Sequence, residues 1–235
     1  RFWHKVLFDA GYVHTSEPFQ KLFNQGMILA YSYRDENGKY YYPDQIESDV
    51  HKATVKETGA SVTTQIEKMS KSRYNVVNPD EVVEKYGADA MRLYEMFMGP
   101  LDRDKPWTDE GVQGVYRFLK RVWYLYMTDD GALSKKIVDG DGDPDTVKQL
   151  HQTIKAVTHD VEGLLFNTAI SRMMEFVNAA MKADTLGRST LEKFTLVLAP
   201  FAPHMAEELW QELGHSNTLA YEPWRELDES HLTED

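Results

Sequence analysis

The chain has 235 residues and a formal net charge of −12, with 26 basic and 38 acidic residues. Hydrophobic residues make up 42% of it and aromatic residues 12%, which excludes a chain disordered throughout and suffices for a sizeable core. Cysteine is absent, so disulfides, zinc–thiolate sites and thiol catalysis are excluded. No apolar run reaches the roughly 20 residues of a membrane span, and we expect a cytoplasmic protein.

The first segment, Phe2–Ala10, has the apolar spacing of a helix that Gly11 would end. Because the chain starts at Arg1 within this pattern, we expect it to begin inside a longer protein. A second short helix is predicted over residues 19–23, where apolar residues recur at helical spacing, and a strand over Met27–Ala30.

Residues 31–61 differ in composition and predict a small β-rich insert. Tyrosines flank the turn sequence Asn37-Gly38, and alternating aromatic residues around Asn-Gly are a strong hairpin signal. The threonine-rich stretch Thr54–Gln65 predicts one or two further strands.

From Asn78 onward the sequence predicts helices. Asn78, Pro79 and two acidic residues form a typical helix start, and this helix should run to Tyr86. Further helices are predicted over Ala88–Met98, Glu110–Met127, Pro144–Gly163, Asn167–Ala183, Thr190–Leu198 and Pro203–Leu213. Their apolar residues fall on single stripes, which predicts an antiparallel α-helical bundle with residues 128–143 as its longest linker. The expected fold class is therefore mainly α with a small α/β part.

The sharpest local feature is the pentapeptide Lys68-Met69-Ser70-Lys71-Ser72, in a loop between a strand-like and a helix-like segment. Two ammonium groups and two hydroxyls in one loop can wrap a polyphosphate, because lysines act as point charges and hydroxyls as short-range donors. Phosphoryl and nucleotidyl transfer needs little from a protein beyond positioning and charge stabilisation. A solvated basic loop is the plainer interpretation of such a sequence.

The pentapeptide KMSKS is the second signature of class I aminoacyl-tRNA synthetases, and the chain resembles that family. The segments that are similar to the leucyl enzymes of bacteria are residues 23–27, 75–80, 86–89, 96–100, 166–170, 199–204 and 207–210. The resemblance covers nearly the whole chain and is weakest in residues 31–61 and 128–145. Isoleucyl, valyl and methionyl enzymes share much of the pattern and remain alternatives.

The resemblance implies ATP-dependent activation of leucine to leucyl-adenylate, followed by transfer to tRNA(Leu). The catalytic residues would be Lys71, which stabilises pyrophosphate as charge builds on it, and Lys68. The whole pentapeptide, Lys68, Met69, Ser70, Lys71 and Ser72, would bind ATP, with Met69 packing beneath the loop. The cofactor would be ATP with Mg²⁺, and neither zinc nor another metal site is expected in this chain. We expect a monomer that binds tRNA(Leu), leucine and ATP and no membrane.

The resemblance also divides the chain into domains. Residues 1–30 and 62–109 would be the C-terminal part of a Rossmann-type catalytic domain, interrupted by the β-rich insert 31–61. Residues 110–222 would be an anticodon-binding-type bundle that binds tRNA, and residues 223–235 an acidic tail leading to a C-terminal domain outside this sequence. The family's first signature, H-x-G-H, begins at none of the 8 histidines, so we expect half an active site and no leucine activation by the chain alone.

The net charge is unfavourable for a tRNA-binding protein, because polyanions favour basic partners. The acidic residues concentrate at the end of the chain, where residues 207–235 carry nine acids and one base. Arg117, Lys120 and Arg121 share one face of a predicted helix and are the candidate contacts to tRNA phosphates. A solvated face paired with nearby acids is the alternative. The competing function is a stand-alone tRNA-binding module without catalysis.

Tyr74 departs from the family pattern, since many members have Gly or a small polar residue two positions after the pentapeptide. If the backbone there takes a positive φ, a tyrosine is strained where glycine would not be. Because the pentapeptide itself is intact, the tyrosine bears on the shape of the loop more than on its function.

Other conspicuous residues are expected to be structural. His151 and His159 lie two helical turns apart, too far to share a metal, and should lie at the surface or at a helix cap. Met173, Met174 and Met181 are expected to fill the bundle core. Residues 139–145 alternate Asp and Gly without the spacing of a calcium loop and predict a linker.

Overall fold

The computed structural model describes residues 1–49 and 52–224 and has a mainly helical fold with a curled antiparallel sheet, which confirms the predicted fold class. The helices are α1 (Phe2–Asp9), α2 (Pro79–Tyr86), α3 (Ala88–Phe97), α4 (Asp109–Tyr126), α5 (Pro144–Glu162), α6 (Phe166–Ala180), α7 (Arg188–Leu198) and α8 (Pro203–Glu212). The strands are β1 (Ile28–Arg34), β2 (Tyr40–Tyr41), β3 (Ile46–Ser48), β4 (Ala53–Val55), β5 (Ser61–Lys68), β6 (Lys105–Pro106), β7 (Ile137–Val138) and β8 (Leu186–Gly187). No helix among the described residues is long and apolar enough to cross a membrane.

The main sheet has the strand order β2-β1-β5-β4-β3, and β6 adds to β1 in parallel. The predicted hairpin is confirmed: Tyr33 pairs with Tyr41, and Gly38 in the turn has a φ of +87°. The backbone N–H of Lys39 donates to the Asp35 carboxylate and holds its pKa below the ordinary value. Strand β1 pairs with β5 from Leu29–Lys68 to Arg34–Thr63, which places the end of β5 beside the start of β1.

The predicted domain boundaries fall within continuous structure. Strand β1 passes through residues 30 and 31, and β5 passes through residues 61 and 62, so the proposed insert shares one sheet with its flanking segments. The main hydrophobic core extends from Val82 in α2 to Leu213 after α8, and thus crosses residue 109 as well. The domain division therefore stays a prediction.

The short helix predicted over residues 19–23 is wrong. Phe19 and Leu22 are 79% and 82% exposed, and a helix this short is unstable unless its apolar face is packed. The segment is irregular and leads to Gly26, where a Cβ would lie 2.1 Å from the carbonyl carbon of Arg103. The next residue, Met27, donates its backbone N–H to Asp104 Oδ1 at 2.6 Å, which ties the start of β1 to the loop after α3.

The eight other predicted helices form, with ends within three residues of the predicted ones. Three have side-chain caps: Asn78 accepts from Asp80 N, Thr108 from Gly111 N and Asp143 from Thr146 N. The largest fully buried side chains of the bundle include Tyr126, Phe176, Phe194 and Phe201. The predicted linker 128–143 is partly ordered by the parallel pairing of β7 with β8.

Two expectations about buried residues are wrong. His151 is 2% exposed because it shares the inward face of α5 with Leu150 and Ile154. Met181, at the C-terminal cap of α6, is 41% exposed, whereas Met173 is fully buried.

Of the predicted acidic tail 223–235, all but residues 223 and 224 lies outside the described residues.

Candidate active site

The pentapeptide lies where the sheet meets the helices. Lys68 ends β5, paired with Leu29 of β1. Met69 is half-buried and packs against the main hydrophobic core. Ser70 is extended, with φ −151° and ψ 139°, and residues 71–73 then form one turn of 3₁₀ helix. The loop thus emerges from a paired strand and has an apolar anchor at its second residue.

A buried asparagine ties the loop to the central strand. The backbone N–H of Ser70 donates to Asn75 Oδ1 at 2.9 Å, and Asn75 Nδ2 donates to the carbonyl oxygen of Ala30 at 3.4 Å. Asn75 is 3% exposed, so both of its amide atoms bond where water is excluded. The sequence analysis did not single out Asn75, although it lies in a segment that carries the family resemblance.

An ion pair closes the loop back on β5. Arg73 Nε lies 2.7 Å from Glu67 Oε2, and the same guanidinium donates through Nη1 to the carbonyl oxygen of Lys68 at 3.3 Å. These contacts connect the residue before the pentapeptide with the residue after it. The opposite charges flanking the motif were a signal in the sequence that could have predicted this closure.

Both lysines of the loop project into solvent. Lys68 and Lys71 are exposed, and within residues 1–49 and 52–224 neither ammonium group has a carboxylate within 4.0 Å. The Ser70 and Ser72 hydroxyl oxygens lie 2.9 Å apart on the same loop. Two uncompensated cations beside two hydroxyls on an ordered loop form an arrangement that can bind an anion with several oxygen atoms, such as a polyphosphate.

Tyr74 adopts the strained conformation that the sequence raised as a possibility. Its φ of 55° and ψ of 29° lie in the left-handed region, which is unfavourable for a residue with a Cβ. Its ring stacks on the ring of Tyr42, with the centroids 4.3 Å apart and the planes 28° from parallel. Sequence reasoning missed Tyr42, which is distant from the loop along the chain.

The candidate tRNA-contacting residues lie together on the exposed side of α4. Arg117, Lys120 and Arg121 are exposed, and none of them pairs with an acid in the described part of the chain. The Lys120 ammonium lies 4.8 Å from the centre of the Tyr116 ring, and Arg121 donates to the Asn178 side chain of α6. The cluster therefore retains its positive charge, while Arg121 also connects two helices of the bundle.

Three comparisons relate this chain to known proteins. Residues 49–108 match the family described as tRNA synthetases class I (I, L, M and V), and residues 143–235 match the anticodon-binding domain of tRNA ligase. Over 97% of its length the chain is 53% identical to leucine–tRNA ligase 1 of Rhizobium johnstonii. This chain is a leucyl-tRNA synthetase homologue.

This chain spans 27% of the length of that relative. Its fold is similar to the crystal structure of the LeuRS of Agrobacterium radiobacter K84 in a ternary complex with tRNA and LeuAMS. The TM-score is 0.69 at 30% identity, over 99% of this chain and 28% of that chain. The resemblance inferred from KMSKS and the segments around it is confirmed. The α4 residues 117–121 lie between the two matched ranges.

Proposed function

We propose that this chain supplies the KMSKS side of the ATP site and the tRNA-binding bundle of a leucine–tRNA ligase. The full reaction would activate leucine with ATP to leucyl-adenylate and transfer the leucyl group to tRNA(Leu) in the cytoplasm. The observation that carries the proposal is the ordered loop that presents Lys68 and Lys71, neither of which has a carboxylate partner within residues 1–49 and 52–224. The 53% identity to leucine–tRNA ligase 1 supports leucine over the other amino acids of the matched family.

The chemistry assigns a role to each residue of the loop. When the leucine carboxylate attacks the α-phosphate, the bond to pyrophosphate breaks and negative charge grows on the leaving oxygens. The Lys71 ammonium would stabilise that charge, and Lys68 would add a second cation at the end of β5. The Ser70 and Ser72 hydroxyls would donate hydrogen bonds to phosphate oxygens, while Met69 holds the loop against the core.

The magnesium ion expected with ATP would be bound mainly by the nucleotide. In the described part of the chain, no group of three or more His, Asp or Glu side chains could hold a metal ion. Mg²⁺ commonly keeps several waters and is bound through substrate phosphates with one or two carboxylates. When bound, it would neutralise phosphate charge, and the residues of this chain would act on the remaining charge through Lys68 and Lys71.

A direct experiment is leucine-dependent ATP–pyrophosphate exchange. The gene product that carries this sequence should support exchange with leucine and much less with isoleucine, valine or methionine. The 235-residue chain purified by itself should show none, because it contains no H-x-G-H element to complete the site. Exchange by this chain alone would refute the half-site proposal.

The cationic face of α4 gives a prediction about tRNA. The double variant Arg117→Ala with Lys120→Ala should weaken tRNA(Leu) binding by about tenfold at low salt. The dependence of log K on log salt should also become shallower by about 2, because each lost phosphate contact removes roughly one unit. Filter binding across a salt series measures both quantities. Arg121 is left intact because it donates to Asn178.

The control for this prediction is Arg172→Ala on α6. Arg172 is exposed and pairs with Glu175 at 3.3 Å, so its charge is already compensated and its removal should leave tRNA binding within twofold. If the double variant binds as tightly and with the same salt dependence as the unmodified protein, α4 does not contact tRNA. Strong tRNA binding without any exchange activity in the gene product would favour the stand-alone tRNA-binding module.

A further inference from the structure

The segment that follows the two lysines is held at one point by an aromatic contact. Asn75 is fixed to β1 and to Ser70, and the 3₁₀ turn ends at Tyr74, whose backbone N–H donates to the carbonyl oxygen of Lys71 at 3.3 Å. Between these fixed points, the Tyr74 ring extends away from the loop and stacks on Tyr42. The conformation of the turn that carries Lys71 therefore depends on where the Tyr74 ring is held.

The backbone of Tyr42 is held by contacts outside the loop. Tyr42 precedes Pro43, which restricts its backbone to the extended region, and its φ of −68° and ψ of 149° lie there. Its backbone N–H donates to Gln45 Oε1 at 3.0 Å, which fixes it to the 3₁₀ turn of residues 43–45. The preceding strand β2 is paired with β1. The ring of Tyr42 is thus presented by the sheet, on the side where the loop lies.

Tyr74 needs this support because its backbone is strained. Among the described residues, Tyr74 and Leu164 are the non-glycine residues with a positive φ. A residue persists in this region only when its surroundings hold it there. Stacked aromatic rings provide such a restraint, since an offset pair is favourable beyond the area that it buries.

We propose that Tyr42 is a positioning residue for the KMSKS loop, because its ring holds Tyr74 in the left-handed conformation and thereby holds Lys71 in place for the ATP phosphates. The inference rests on the proposed function of Lys71 as the pyrophosphate-stabilising residue. Tyr42 itself acts through Tyr74. Loss of its ring should let the turn of residues 71–73 open while the anchors Met69 and Asn75 keep the loop attached to the sheet.

The first test measures the loop in this chain directly. Tyr42→Ala should speed amide hydrogen exchange across residues 71–74 by about three- to tenfold, the expected effect of one lost aromatic pair. Tyr42→Phe keeps the ring and should leave the exchange rates unchanged. Tyr221→Ala, at a tyrosine that is 91% exposed, is the matched control and should also leave them unchanged. Unchanged protection of residues 71–74 in Tyr42→Ala would overturn the proposal.

The second test uses the gene product in the pyrophosphate exchange assay. Tyr42→Ala should lower kcat/KM for ATP by about three- to tenfold, with the KM for leucine within twofold and the unfolding midpoint unchanged. Equal changes in the ATP and leucine parameters, or a Tyr42→Phe variant as impaired as Tyr42→Ala, would overturn the positioning role. Lys71→Ala in the same assay separates the two claims: full activity of that variant removes the proposed function, whatever Tyr42→Ala does to the loop.

Discussion

Replacing Lys71 with alanine in the gene product that carries this sequence should slow leucine-dependent ATP–pyrophosphate exchange by about 10²–10³-fold. This is the usual loss when a contact made mainly in the transition state is removed. Lys71 is exposed at the start of the 3₁₀ turn, and its ammonium has no carboxylate within 4.0 Å among the described residues. Its removal should therefore affect the developing charge on pyrophosphate and leave folding unchanged.

The matched control for Lys71→Ala is Lys135→Ala. Lys135 is also an exposed lysine, in the segment between α4 and α5, and its loss should leave exchange within twofold of the unmodified rate. Thermal unfolding of both variants should coincide with that of the parent protein. An exchange rate for Lys71→Ala within a few fold of the parent would remove Lys71 from the mechanism, since its contact would then contribute nothing specific to the transition state.

Replacing Asp89 with alanine should destabilise the fold by about 2–3 kcal/mol, from the loss of a helix cap and of a buried hydrogen-bond acceptor. Asp89 lies on α3, but it caps α8: its carboxylate accepts from the backbone N–H of Met205 at 2.7 Å and of His204 at 3.3 Å. The ring Nδ1 of His204 lies 2.8 Å from the same carboxylate, which is buried. Chemical denaturation should show the loss as a lower midpoint.

Asp145→Ala is the comparison for Asp89→Ala. Asp145 is an exposed acid in the first turn of α5, where Asp143 already caps the helix, so its loss should change stability by less than about 0.5 kcal/mol. If Asp89→Ala and Asp145→Ala unfold at the same denaturant concentration, the α3–α8 tether contributes nothing. A lower unfolding midpoint for Asp89→Ala than for Asp145→Ala would show that Asp89 stabilises the contact between α3 and α8.

Features that depend on neighbours in the sequence could be predicted, because the physics that forms them is local. The start of α2 followed from the cap at Asn78, and the hairpin from Asn37-Gly38. The burial of His151 could also have been found, since it lies on the same stripe as Ile154. Local patterns fail where packing decides, as in residues 19–23, whose apolar side chains lack the partners that a short helix needs.

The geometry of the candidate site needed the fold. The bond from Asn75 to Ala30 joins residues 45 positions apart, and the stacked pair joins Tyr42, which follows β2, to Tyr74, which follows β5. Contacts of this kind depend on strand order, which no periodicity in the sequence specifies. The sequence analysis raised a positive φ at Tyr74 as a possibility, but it did not predict that the Tyr42 ring stacks on Tyr74. The lysines and serines of the loop could be read from the sequence, whereas the contacts of Asn75 and Tyr42 that hold the loop follow only from the fold.

The most direct test of this account is the exchange of labelled pyrophosphate into ATP by the gene product, measured with leucine, isoleucine, valine and methionine and repeated for Lys71→Ala. We predict that leucine drives exchange well above the other three amino acids and that Lys71→Ala lowers the leucine-driven rate by about 10²–10³-fold. Exchange driven by a different amino acid, an unaffected Lys71→Ala variant, or tRNA binding with no exchange at all would contradict it.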